Sequence, residues 1–544
     1  MPSTKSAEKN DEKYGDFAGF FSTVDEHTTS IVAAVTGTIP SWIKGGFLRN
    51  GPGKFEAGKD KYNHWFDGLA LMHRFDFDNG VVKYHSKFLR SDSYVQALEQ
   101  NRIVISEFGT AATPDPCKTV FQRFVSHFKP SPEEKASDNN IVSITRIGDG
   151  VYAANDTVIL RRIDHNSLDT MERVDMSKLV TIHTSTAHPH IMPDGTYYNI
   201  GINFKAGCYH VIEIAPDSKK DDPVEGAKIL HTIPMESRMH PAYFHSFNMS
   251  ANYIIFHEQP LRFSMFKVMT WKLFKSGVDT MMSFHKNLKS NFHVCDKRTG
   301  TVLPLKFVSE PFVHFHVINS YEESGHLIID LCGAGDSSGF DTLYLAYLKG
   351  IKVDDEESYK NSKLSKAQRS WPIRFVIPLD VTKESPKNTN LITLTGTTAT
   401  AMLKKDGNVY LTCESLIPED LRSKTCGMDF PQINYNFYNG KPYRYCYFTG
   451  FPEFVIPPDK LVKLDVKTKT AQIWQEDECY PSEPMFVPAP NATREDEGVV
   501  LSVVISPNKD KSTFVLVLDG ESFKEVGRAS IPCDIPLGIH GTFI

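Results

Sequence analysis

Residues 460–474, KLVKLDVKTKTAQIW, and residues 513–532, TFVLVLDGESFKEVGRASIP, are the stretches on which the fold turns. Each holds an apolar, β-branched run, a short polar turn and a second run, which is the pattern of an antiparallel hairpin. Related runs recur at VYAANDTVILRRID (151–164), TYYNIGIN (196–203), ANYIIFHE (251–258), HLIIDLCGA (326–334), NVYLTCESL (408–416) and GVVLSVVISP (498–507). The chain therefore reads as all-β. The hairpins at 460–474 and 513–532 resemble the outer strand pairs of successive four-stranded blades, so the expected architecture is a single seven-bladed β-propeller. Polar stretches at 214–226 and 352–370 interrupt the strands and read as surface insertions.

Working outward, the 544 residues carry 60 Lys and Arg against 66 Asp and Glu, a net charge of −6 that offers nothing to a nucleic acid. With 40% apolar residues the chain can build a large core. The opening MPSTKSAEKNDEKYGDF is polar throughout, so residues 1–18 are expected to be a flexible segment and 19–544 the propeller. It has no secretory h-region, and no later stretch approaches the roughly 18 apolar residues of a membrane-spanning helix. Nine scattered cysteines without a C-x-x-C pair imply reduced thiols. The expected location is cytoplasmic, and the sequon at Asn491 is expected to carry no sugar.

Two segments depart from the β pattern. CKTVFQRFVSHFK (117–129) puts Val120, Phe121, Phe124, Val125 and Phe128 on one helical face, and LRFSMFKVMTWKLFK (261–275) does so with Met265, Phe266, Met269 and Leu273. Such helices either pack on a core or lie in a membrane surface. The lysines around the second favour the membrane for it.

Twenty histidines make any one of them an ordinary residue until its context says otherwise. Four stand in unusual strings: His188 in TAHPHIMPDGT, His245 in AYFHSFNMS, His316 in FVHFHVINSYE and His540 in IPLGIHGTF. Their separation in sequence is no obstacle in a propeller, where inner strands of different blades meet at one axis. Four neutral imidazoles without thiolate or carboxylate suit Fe, Cu, Ni or Zn rather than Ca or Mg.

The blocks IPSWIKGGFLRNGPGKFEAG (39–58), NHWFDGLALMHRF (63–75), KFLRSDSY (87–94), PDPCK (114–118), TTATAM (397–402), DFPQINY (429–435), YPSEPMFV (480–487) and IHGTF (539–543) closely resemble the carotenoid cleavage oxygenases. The likeness runs from about residue 20 to the end. It is nearest the animal branch, and within that the insect-type carotenoid isomerooxygenase. The resemblance implies a seven-bladed propeller with a helical cap and a non-heme Fe2+ held by His188, His245, His316 and His540. In the HPH pair the first histidine is taken as the ligand, leaving His190 a supporting role; in FVHFH the match falls on His316, leaving His314 a strand residue. The family fixes its ligand imidazoles with three glutamates. Here Glu483 keeps that identity, while Asp156 and Asp429 stand at the other two positions. The expected pairs are Asp156 with His245, Asp429 with His316 and Glu483 with His540, with the shorter Asp either approaching through its backbone or bridging through water.

What the resemblance implies for function is cleavage of a carotenoid double bond by O2, favouring the central 15,15′ bond and coupled to a trans-to-cis isomerisation. The substrate would thread an aromatic-lined tunnel, drawn from a membrane to which the protein binds peripherally, with Cys117 a candidate for acylation. Competing readings are the non-oxidative isomerohydrolase of retinyl esters and a carotenoid-binding propeller without catalysis. The four intact histidines speak against the last.

Overall fold

The computed structural model describes residues 17–114, 136–216, 223–274, 277–350, 367–452 and 457–544. The helix expected at 117–129, with Cys117, lies outside these residues, as do residues 1–16 and most of the polar insertion at 352–370. Phe17, just before the boundary expected after residue 18, is buried, its ring edge-on to Tyr480 at 5.0 Å.

Antiparallel hairpins dominate, and they fall where the apolar runs ended in turns. The stretch 460–474 forms strands Lys460–Asp465 and Thr470–Trp474, and 513–532 forms Thr513–Asp519 and Glu525–Ile531. Among the described residues, seven sheets hold four or more strands each. They succeed one another along the chain as a β-propeller. Only three of the seven keep the plain four-stranded form expected from sequence. Three of the other four are enlarged by strands from elsewhere in the chain. The last sheet gains Ala34–Gly37, which pairs with Glu525–Ile531. The first sheet gains the C-terminal strand Gly541–Phe543, which pairs with Gly45–Lys54. Both chain ends thus cross the seam between first and last sheets, so separating those sheets would break two strand ladders. The seven-stranded sheet takes in Thr400–Leu403 and Val409–Thr412 through a parallel pairing with Phe307–Ser309.

The helices among the described residues are short, the longest being Met265–Phe274 with ten residues. It follows the strand Leu261–Phe263, so the expected helix at 261–275 begins later than its apolar pattern suggested. Among its described side chains Val268 packs on a core cluster, whereas Phe266 and Met269 are 62% and 66% exposed. No helix of the described residues is long and apolar enough to cross a membrane. The helical cap implied by the resemblance is not established by these pieces: turns of 3-10 helix at Trp65–Asp67 and Phe340–Leu343 stand beside the cavity described below.

Candidate metal centre

Each sheet delivers one polar side chain to a common centre, and it does so where its ladder is interrupted. His188 lies in the gap between the short strands Thr184–Ser185 and His190–Ile191, both paired with Tyr197–Asn203. His245 precedes the edge strand Asn248–Met249. His316 sits in Val313–Glu323, between His314 and Val317, where the register slips. His540 directly precedes Gly541–Phe543. The remaining three sheets supply carboxylates. Asp156 comes from the turn after Gly150–Ala154, and Glu483 from the break between Tyr480–Pro481 and Met485–Pro488. Asp429 comes from Met428–Gln432, whose register shifts between Asp429 and Gln432. A break or bulge frees a side chain from strict alternation and re-aims it, which is how edge strands point these groups inward.

The ligand atoms of His188, His245, His316 and His540 all lie within 4.8 Å of one another. His188 Nε2 stands 2.9 Å from His245 Nε2, and His316 Nε2 stands 3.2 Å from His540 Nε2. The second nitrogens explain the orientation. His245 Nδ1 donates to Asp156 Oδ2 at 2.9 Å, His316 Nδ1 to Asp429 Oδ1 at 2.7 Å and His540 Nδ1 to Glu483 Oε1 at 2.8 Å. A carboxylate only accepts, so each of these Nδ1 atoms carries the proton, and Nε2 is the nitrogen each ring has left to offer a metal. The two aspartates reach their imidazoles directly, without a bridging water, despite the missing methylene. His188 has no carboxylate partner among the described residues.

The carboxylates are themselves held. Asp156 also accepts from Ala187 N and from the Tyr243 hydroxyl. Asp429 accepts from Ser370 Oγ at 2.7 Å and from Phe430 N. The bulge that aims it puts Phe430 at a φ of 54°, with its ring 4.9 Å from that of His316. Glu483 accepts from Arg49 Nη1, Gly541 N and Gln432 Nε2. Burial alone would raise the Glu483 carboxyl, but His540 and Arg49 outweigh it and hold the group at about 2. Asp429 is likewise held below the usual carboxylate range, by His316 against its own burial. Burial keeps His540 neutral, down at about 4, and drives His188 well below its ordinary value.

Between His316 and His540, whose Nδ1 atoms are both committed to carboxylates, the facing Nε2 lone pairs repel unless a cation shares them. Two imidazole nitrogens at about 2.1 Å from one ion stand about 3 Å apart when at right angles, matching the 2.9 and 3.2 Å spacings. The donor set therefore fits a single transition-metal ion. His190 stands apart, its nitrogens engaged by the Tyr435 hydroxyl and the Phe247 carbonyl. His314 contacts His257 instead, at 2.9 Å.

His245, His316 and His540 border a cavity enclosing about 1080 Å3 of space free of protein atoms, part of it open to solvent. Trp65, Phe66, Tyr243, Phe315, Phe340 and Phe430 are among its walls. Its walls are predominantly apolar, as a site for a hydrophobic small molecule requires. The sequence reading assigned no role to Arg49, Tyr243, Ser370 or Gln432. Only Arg49 carried a usable signal, a charged residue in the Gly- and apolar-rich run GGFLRNGPG.

The sequence profile described as retinal pigment epithelial membrane protein (RPE65) matches residues 20–544. The ferret carotenoid-cleaving dioxygenase, mitochondrial, is 44% identical over 531 residues, covering 97% of this chain and 96% of that protein. The mouse beta,beta-carotene 15,15′-dioxygenase is 40% identical over 530 residues, covering 95% and 90%. A solved Synechocystis apocarotenoid oxygenase variant superposes with a TM-score of 0.72 at 20% identity, covering 97% of this chain and 98% of that one, a likeness of fold. The cytoplasmic location expected from sequence does not stand, since relatives at 44% identity are named as mitochondrial. Reduced thiols mark a reducing compartment without saying which. The identity over almost the whole chain, with the four-histidine centre at the meeting of the sheets, makes this protein a member of the RPE65 family of carotenoid cleavage oxygenases.

Proposed function

We propose that this protein is a non-heme Fe2+ dioxygenase that cleaves a carotenoid double bond to retinal-type aldehydes. The observation that carries the reading is the set of four convergent imidazoles, three of them locked by carboxylates, beside an aromatic-walled cavity. His188, His245, His316 and His540 would hold the iron. Bound there with four neutral ligands, it would supply a site where O2 can be activated next to an electron-rich alkene. The chain's own residues do the rest. Asp156, Asp429 and Glu483 fix imidazole tautomer and aim. The aromatic walls exclude water and hold the polyene so that a single double bond faces the centre. The cleavage register follows from cavity shape; the central bond is the favoured site, with trans-to-cis isomerisation of one half as an accompanying step.

The seven larger sheets are read as seven blades of one domain over 19–544, with short helical elements and loops as its cap. The exposed Phe266 and Met269 on Met265–Phe274 support peripheral docking on the membrane from which so apolar a substrate would come.

The test is an assay with a C40 carotenoid, in air and without oxygen, in 18O2, with products separated by chromatography. The expected result is label in both aldehydes, of equal length. Unequal products would move the register to an eccentric bond. Label in neither aldehyde, or turnover of retinyl esters alone without oxygen, would overturn the dioxygenase reading in favour of the isomerohydrolase.

A further inference from the structure

Arg49 is among the largest fully buried side chains of the molecule, 2% exposed, and it stands behind the centre rather than in the cavity. Strand Gly45–Lys54 sets it directly opposite Gly541. One arm of its guanidinium donates to Glu483 Oε2 at 2.9 Å, and the other to the Ile539 carbonyl at 3.1 Å. The flanking Asn50 completes the grip, its backbone N–H on the His540 carbonyl and its carbonyl on Ile539 N, both at 2.8 Å. A Cβ on Gly541 would run first into the Leu48 carbonyl oxygen and then, at 2.6 Å, into Arg49 Cδ, so the residue after His540 is limited to glycine.

A charge this deep is costly unless matched. The three carboxylates that fix the imidazoles, set against one guanidinium, leave two negative charges among neutral histidines. A divalent ion brings that assembly to neutrality, and a trivalent ion leaves an uncompensated positive charge in a buried site. Arg49 also draws on the Glu483 carboxylate, so that His540 meets a weakened acceptor and stays a neutral imidazole donor.

We propose that Arg49 is a positioning residue that holds the metal of this centre in its divalent state. The proposal rests on the metal-centre reading above. Without the guanidinium charge the trivalent ion becomes the one that balances the carboxylates, so the M3+/M2+ couple, in which one electron leaves the ion, moves to lower potential.

The experiment uses the full chain, stripped with chelator and titrated separately with Co2+ and with Ga3+, a trivalent ion that does not change valence. Arg49→Gln is expected to raise the Ga3+ to Co2+ affinity ratio about tenfold or more, the scale of one buried unit charge. Arg49→Lys, which keeps the charge but not the fork, stays within about threefold of the parent. In iron-loaded protein the midpoint potential moves down in Arg49→Gln and not in Arg49→Lys. Glu483→Gln supplies an independent arm should Arg49→Gln fail to fold: it lowers the ratio, and adding Arg49→Gln to it returns the ratio to the parent value. An unchanged ratio in Arg49→Gln overturns the proposal, as does an equal shift in Arg49→Lys, which would make geometry the cause, or a double variant that does not return. Failure of the parent protein to bind Co2+ or iron would instead refute the metal centre itself.

Discussion

Replacing Asp429 by Asn removes one charge from behind His316 while leaving the side chain's shape intact. The amide carbonyl can still accept from His316 Nδ1 and Phe430 N, which already share Oδ1, and Ser370 Oγ can turn to accept from the new amide nitrogen. What is lost is the charge assistance. A hydrogen bond to a charged group contributes about 1.5–3 kcal/mol and a neutral one about 0.5–1.5 kcal/mol, so the change costs roughly 1–1.5 kcal/mol. That is about a tenfold loss of metal affinity, at the low end of the usual cost for groups behind a ligand. Asp156 has the same chemistry but a side chain 25% exposed, against 9% for Asp429, so solvent screens part of its charge. Asp156→Asn should cost about threefold. Chelator competition with Co2+ on the stripped protein reads both constants, and a melting curve of each stripped variant separates metal loss from unfolding. Affinity within twofold of the parent in Asp429→Asn, or a larger loss in Asp156→Asn, would show that the carboxylate charge does not set ligand strength here.

Single replacement of His188, His245, His316 or His540 by Ala should abolish stoichiometric metal binding and nearly all turnover; metal analysis finding full occupancy and normal rate in any one variant removes that residue from the ligand set. Burial holds His64 and His73 neutral, at about 3, and His190 at about 4. Because the unfolded chain binds these protons near 6.5 and the folded one does not, their stability is fully present above pH 6.5 and lost as pH falls toward 4, at about 1.4 kcal/mol per unit for each. These three imidazoles alone should cost the stripped protein about 4 kcal/mol between pH 7.5 and 5.5, with His188 and His540 adding to the loss, read from urea midpoints; a flat profile would mean these imidazoles titrate in the fold. Phe266→Ser with Met269→Ser should move the protein from the floating to the soluble fraction in a liposome flotation assay, and parent protein that fails to float would return the helix to a packing role.

The hairpins were legible because their signal is local: apolar runs broken by polar turns need no knowledge of the rest of the chain. What joins the sheets was not legible, because it is made by strands of a few residues. Ala34–Gly37 and Gly541–Phe543 have no periodicity to read, yet they close the propeller across its ends. The parallel graft of Val409–Thr412 onto Phe307–Ser309 is hidden for the same reason, since about a hundred residues separate the partners. In the helix at Met265–Phe274 the sequence pattern pointed to an apolar face with Phe266 and Met269 on it, but among the described side chains those two are exposed and Val268, between them, packs on the core.

The centre was legible through its resemblance and through its unusual strings, and the strings are unusual because of the strand breaks. Pro189 between two histidines, Pro481 and Pro484 around Ser482 and Glu483, and Gly538 and Gly541 around His540 are residues that interrupt or crowd a ladder. A side chain that must leave its sheet's alternation needs such neighbours, so the punctuation marks the functional residue more surely than the histidine does. Arg49 shows the limit of that reasoning. It lies where its strand pairs in regular register and does not line the cavity at the centre, and its importance rests on two groups more than four hundred residues away. A buried charge acts through what it neutralises, and that is visible only once the chain has closed on itself. The same closure brings Gly541 across from Arg49 and His540 beside Asn50, so the strand that seals the propeller also seats its last imidazole. Loosening the seam should then cost metal affinity before it costs the hairpins.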